Sequence, residues 1–196
     1  MTDPEMQRIA DLDTLKAFSH PLRMKLYRAL TVARTATASQ LAETVDEAVS
    51  LVSYHLRKLA AHGLIEEAEP QSADGRERWW RMAAASGVSV RDKDFRDAPE
   101  SVAAHSAFSR TLFRQRAEMY ERYLDEQSAW PQEWRSAAFS SEFLPRLTPG
   151  ELAQLNDEMH DLAKRWFERG RAAEEAGDTE GRENVALHFY GFPFRQ

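Results

Sequence analysis

Residues 41–67 read LAETVDEAVSLVSYHLRKLAAHGLIEE, and RERWWRM follows at residues 76–82. A small residue stands at Ala42, a turn former at Asp46 and an apolar residue at Val52, ten positions after the first. Two helices that cross closely need this order: a small side chain where they approach, a tight turn, and an apolar anchor on the second helix. Val52, Leu56 and Leu59 then recur at helical steps and face a core. Ser50, Ser53, Tyr54, Arg57 and Lys58 are left on outward faces. Gly63 stands where a helix end favours a left-handed residue. The stretch reads as a helix-turn-helix whose second helix runs from about Val49 to Ala61.

Upstream, Leu12, Leu15 and Phe18 keep helical spacing and stop at Ser19-His20-Pro21. Pro21 suits the first turn of a new helix with Leu22, Leu26 and Leu30 on its apolar face. Thr37 or Ser39 can cap the short helix carrying Leu41, Ala42 and Val45. Downstream, LIEEAE (64–69) and RERWWRM are β-prone, and the PQSADG between them (70–75) is made of turn formers. This hairpin makes a wing with Arg76 and Arg78 beside its tip, placed to meet DNA phosphates; the plainer reading is two arginines that solubilise a hairpin. Trp79 and Trp80 alternate faces, one filling the core and the other covering the linker beyond the wing. That linker is residues 85–98, which lose periodicity and stand between a winged helix domain at 11–84 and a second region at 99–196.

That second region begins with a long helical stretch, Pro99–Glu126, followed by a less regular segment containing Trp130, Trp134, Phe139 and Phe143. Thr148-Pro149-Gly150-Glu151 is a capping box with proline at the first helical position. The helix it opens spaces Leu152, Leu155, Met159, Leu162 and Trp166 alternately by three and four. With Leu112, Met119 and Tyr123 these form the expected dimer interface. VALHFYGFPF at 185–194 reads as a strand, so the expected fold class is mainly α with a small β-wing plus a C-terminal α+β region. Residues 99–196 hold 14 of the 20 aromatics. A pocket for an aromatic or lipid-like effector is one reading of them, and an ordinary core plus dimer seam is the other.

The formal charge of −6 argues against non-specific coating of nucleic acid. It is unevenly spread: residues 11–82 carry ten Lys/Arg against ten Asp/Glu, and residues 83–196 carry fifteen against twenty. A neutral first part with clustered arginines can still bind DNA, while the acidic remainder weakens non-specific attachment. Cysteine is absent, which excludes disulfides and thiolate metal sites and suits a reducing compartment. No apolar run approaches 18 residues, and the acidic start does not resemble a signal peptide, so a cytoplasmic protein without membrane contact is expected. Glu158, His160 and Asp161 cluster, and His105 could face them, but no helical ligand pair is present and no metal is expected. No cofactor or catalysis is expected either, since there is no phosphate-binding glycine loop, nucleophile elbow or zincin motif.

At SHPLRMKLYRAL (19–30) and VSYHLRKLAAHGLIE (52–66) the chain resembles the ArsR-like winged helix family, over about residues 11–82. LTPGELAQLNDEMHDLAKRW (147–166) and LHFYGFPF (187–194) look like the C-terminal region of a long, actinobacterial-type subgroup. The resemblance implies a homodimeric regulator, expected to be a repressor, on a near-palindromic operator, with the recognition helix in the major groove and the wing on the backbone or minor groove. His55 lies where the family has a histidine, and it either reaches a phosphate or packs under the helix. Where the family's turn carries Gly, an apolar residue and a capping Ser, this chain has Asp46, Glu47 and Ala48. The recognition helix is therefore expected to start irregularly, with Asp46 or Glu47 serving its first amides. The alternative to a DNA-binding regulator is an adaptor that keeps a winged helix for protein contacts.

Overall fold

Asp11 opens the first helix, α1 (Leu12–Phe18), by accepting the Thr14 N–H at 2.8 Å. Pro21, which has no N–H to lose, starts α2 (Pro21–Ala33) directly after it, capped by the His20 ring. The computed structural model describes residues 6–70, 77–84 and 87–195. Within them the order continues as strand β2 (Thr35–Thr37), α3 (Ala38–Val45), α4 (Val49–Ala61), β3 (Ile65–Ala68) and β4 (Trp79–Met82). Thr37 is the residue that caps α3, in a reciprocal box with Gln40. Gly63, at φ +66°, ends α4, and the Leu64 N–H returns to the Leu59 carbonyl at 3.1 Å.

The core is the three-way meeting of α2, α3 and α4 under the wing. Leu15, Leu26, Leu30, Val52, Leu56, Leu59 and Leu64 are fully buried there. β3 and β4 pair antiparallel with Ile65 opposite Met82, and β2 pairs with the other edge of β4, giving the order β2-β4-β3. Trp80 faces the core and Trp79 is half-buried. The fold is mainly helical with a small three-stranded wing.

The stretch expected as a linker has structure of its own. β5 (Val88–Val90) pairs in parallel with β1 (Gln7–Ile9), and a 3₁₀ turn at Asp92–Phe95 buries Phe95. Arg8 and Asp94 tie the same two segments together by an ion pair. The long helix α5 (Pro99–Glu126) then packs its first half on the winged helix. Phe108 is 5% exposed with its ring 6.0 Å from that of Phe18, and Leu112 lies against the same core. The buried Gln115 donates from Nε2 to the Pro21 carbonyl at 2.8 Å. Contacts accordingly group residues 2–125 as one compact unit and 126–196 as another, a division well beyond residue 84.

The second unit holds a 3₁₀ turn at Gln127–Ala129, α6 (Gln132–Ala137) and α7 (Pro149–Glu175). α7 opens on the Thr148–Glu151 capping box read from the sequence. The strand expected at 185–194 is not formed, and no strand occurs among the described residues after 126. A strand needs a ladder partner, and here Val185, Leu187, Phe189 and Phe192 lie exposed instead. The C-terminal region is therefore helical rather than α+β. No described helix is long and apolar enough to cross a membrane.

Candidate nucleic-acid interface

Three fully buried side chains, Val52, Leu56 and Leu59, fix how α4 is rotated. The opposite face carries Ser50, Tyr54, Arg57 and Lys58, all exposed, with Ser53 half-buried at its edge. The Lys58 ammonium lies 5.8 Å from the Tyr54 ring centroid, so cation and aromatic share one patch. Val49 and Leu51 on the first turn are 46% and 40% exposed. Val49 continues the Val52–Leu56–Leu59 spacing yet lies open at the helix start, and Leu51 falls off that stripe; the sequence alone marked neither as outward. Apolar side chains at this end of a helix suit thymine methyl groups in a major groove.

The turn before α4 is formed as its residue types suggest, but its carboxylates do not act as expected. Asp46 takes the left-handed conformation (φ 55°, ψ 55°), and both its N–H and that of Glu47 return to the Ala42 carbonyl. These backbone groups close α3. Among the described residues no side chain caps α4, whose N-cap is Ala48, so neither Asp46 nor Glu47 serves the first amides. The helix still begins regularly, the Val52 N–H reaching the Ala48 carbonyl at 3.0 Å.

A cleft of about 280 Å³ separates α4 from the wing, lined among others by Ser39, Val49, Ser53, Arg57, Glu77 and Arg78. Ser39, released from capping, donates to Glu77 at 2.8 Å across one side of it. Arg78 lies on the wing as expected, its guanidinium 3.1 Å from Glu67 and 5.7 Å from the Trp80 ring. Arg76 lies outside the described residues.

His55 is not part of the open face. It is 5% exposed, and its ring centroid lies 4.5 Å from that of His20, the residue that caps α2, with the two planes tilted. The packing reading of this histidine is the one its burial supports. Burial holds the His55 imidazole below its ordinary pKa, and the neighbouring His20 and Arg23 act in the same direction.

The residues expected at a dimer seam fall in both units. In the first, Leu112 is engaged with its own core while Met119 and Tyr123 are half-buried. In the second, no residue of α7 is buried: Leu152 and Met159 are half-exposed, and Leu155, Leu162 and Trp166 are open. On α7 the His160 ring nitrogen lies 2.8 Å from the Asn156 carbonyl, and in the first unit His105 stacks on Phe95. Among the described residues no three His, Cys, Asp or Glu are grouped to hold a metal ion.

A family model described as a helix-turn-helix domain matches residues 18–68. Among solved structures, the chain is similar to one described as a possible transcriptional regulator for arsenical resistance, at 25% identity over 53% of this chain and 86% of that one, with a TM-score of 0.32. It is also similar to a mutant of ZitR from Lactococcus lactis in its apo form, at 14% identity over 74% of this chain and 83% of that one, with a TM-score of 0.29. A third is AbfR with its disulfide formed, at 13% identity over 55% of this chain and 68% of that one, with a TM-score of 0.29. No curated protein matches the chain. Residues 18–68, from the end of α1 through β3, are a helix-turn-helix domain.

Proposed function

We propose that the chain is a sequence-specific DNA-binding transcriptional regulator, a homodimeric repressor of a near-palindromic operator in the cytoplasm. The observation that supports this is the open polar and cationic face of α4, held outward by a fully buried opposite face and flanked by the wing. A protein α-helix fits the major groove, and its first turns reach base edges. In this reading Ser50, Ser53, Tyr54, Arg57 and Lys58 meet bases and phosphates, and Arg76 and Arg78 hold the backbone beside them. One winged helix reads only a short half-site, so two are held about one helical turn apart by a dimer. The apolar faces of α5 and α7 supply that dimer, and the aromatic second half is where a small-molecule effector would act. Genomic fragments retained by the pure protein, once sequenced, should share a near-palindromic motif that competes in a mobility-shift assay. Retention without a shared motif would favour the protein-interaction adaptor, to which the net charge of −6 is better suited.

A further inference from the structure

His20 and His55 meet where the start of α2 abuts the recognition helix, with ring centroids 4.5 Å apart and planes inclined by 39°. The Leu22 N–H donates to His20 Nδ1 at 3.2 Å. That nitrogen therefore carries no proton, and the capping ring is the neutral Nε2–H tautomer. His55 Nδ1 is buried and meets no hydrogen-bond partner among the described residues, and the same holds for Nε of Arg23 in the first turn of α2. Tyr54, next along α4, packs its ring edge on His55 and lies within electrostatic reach of Arg23. Among the described residues, Glu47, in the turn before α4, is the one acid acting on His55. Burial lowers both imidazoles; Arg23 adds to this at His20, and His20 and Arg23 add to it at His55, with Glu47 opposing.

We infer that His20 is a positioning residue for the recognition helix, and that protonation of the His20–His55 pair loosens α4 and weakens operator binding as the pH falls. This rests on the DNA-binding reading above. A proton added to His20 goes to Nδ1, since Nε2 already carries one. It removes the acceptor of the Leu22 N–H and places a cation beside His55 and within electrostatic reach of Arg23. The backbone next to His20 is held by Gln115 from α5, through the Pro21 carbonyl. The displacement therefore falls on α4, whose N-terminus has no side-chain cap. The sign follows from linkage. Imidazoles lowered by folding contribute stability that is fully present above their ordinary value near pH 6.5 and is lost as the pH falls below it and through their lowered folded-state values. Ordinary surface histidines act oppositely on DNA, because their protonation attracts phosphate.

The test uses the full chain and two readouts. Long-range proton–nitrogen NMR of the free protein should show His20 as the Nε2–H tautomer at about pH 7.5, with both rings titrating below the ordinary imidazole range. Binding to the fragment recovered by genomic selection, at fixed salt, should weaken on acidification to about pH 5.5, by up to about tenfold per pH unit for each proton taken up. His20→Asn keeps a capping side chain without a titrating ring; measured against its own affinity at about pH 7.5, it should lose most of the acid response. His55→Gln should lose part of it. Wild-type affinity that stays level or rises on acidification overturns the inference, as does a His20→Asn variant with the full acid loss, or a His20 ring protonated on Nδ1 at neutral pH. Absence of any DNA binding at any pH overturns the DNA-binding reading itself, and that result is distinct from a wrong pH response.

Discussion

Arg57 and Tyr54 stand three residues apart on the outward side of α4, and their surroundings differ from those of the wing arginines. Arg78 and Arg81 are each paired with a glutamate, Glu67 and Glu66, whereas no ion pair ties Arg57 among the described residues. An unpaired guanidinium can take the O6 and N7 acceptors of a guanine without first giving up a partner. Arg57→Ala should therefore cost about 1–3 kcal/mol on the operator and relax base preference, and Tyr54→Ala should do the same. Mobility-shift titrations check this, and wild-type binding by both variants would move base readout off α4. These outward residues were legible because Val52, Leu56 and Leu59 mark the buried side so firmly. His55 was less so. It lies three residues after Val52 and four before Leu59, inside the apolar stripe, and only its polarity suggested an outward role. His20 gave no signal of its own, since imidazole is an unusual cap and its partner lies 35 positions away.

Helix ends explain how the interface is held at the scale of elements. α3 and α7 each carry a reciprocal capping box, while α4 begins on Ala48 with no side-chain acceptor for its first amides among the described residues. Ala48 is exposed and already in the extended conformation that a capping residue adopts. Ala48→Ser should therefore raise stability by about 1 kcal/mol in denaturant titration; an unchanged midpoint would mean that the Ser hydroxyl does not reach the amides of α4. The wing makes a different kind of prediction. Arg78 is bound to Glu67 on the surface, a pair worth only about 0–1 kcal/mol, so a DNA phosphate can take it over at little cost. Arg78→Ala should weaken all DNA about equally and reduce the salt slope by about one. A changed base preference with an unchanged slope would make Arg78 a reader of bases. The wing strands and the bounds of α5 were readable from β-prone runs and from proline placement. The pairing of β5 with β1 was not, because three residues in a Ser- and Gly-containing stretch show no period and the partner lies about eighty positions upstream.

For the whole molecule, the decisive feature is where the compact units divide. The winged helix does not end with its wing: Phe95, Phe108 and Gln115 are all buried in the unit that runs to Asp125. A helix continuing past a hairpin looks separate in a linear reading, because the contacts that attach it, Phe108 on Phe18 and Gln115 on Pro21, span some ninety positions. Helix α7 has the opposite character. Its stripe was legible as a pattern, yet the spacing alone could not say whether it met its own chain or another. In the structure Leu155, Leu162 and Trp166 are 40%, 46% and 58% exposed. Apolar residues repeated along one helix face and left open are what a partner surface looks like before it is covered. If α7 joins two copies, Leu155→Glu together with Leu162→Glu should give a folded monomer, since neither side chain supports the core of its own unit. Sedimentation should then show one species of single-chain mass, with the circular dichroism of the wild type. Operator affinity should fall by roughly a hundredfold or more, because the second half-site no longer binds as a linked event. Affinity for an isolated half-site should stay as it was, which separates loss of dimer from damage to α4. A dimer that survives both charges would place the interface on α5, around Met119 and Tyr123, and leave the exposed stripe of α7 to another role.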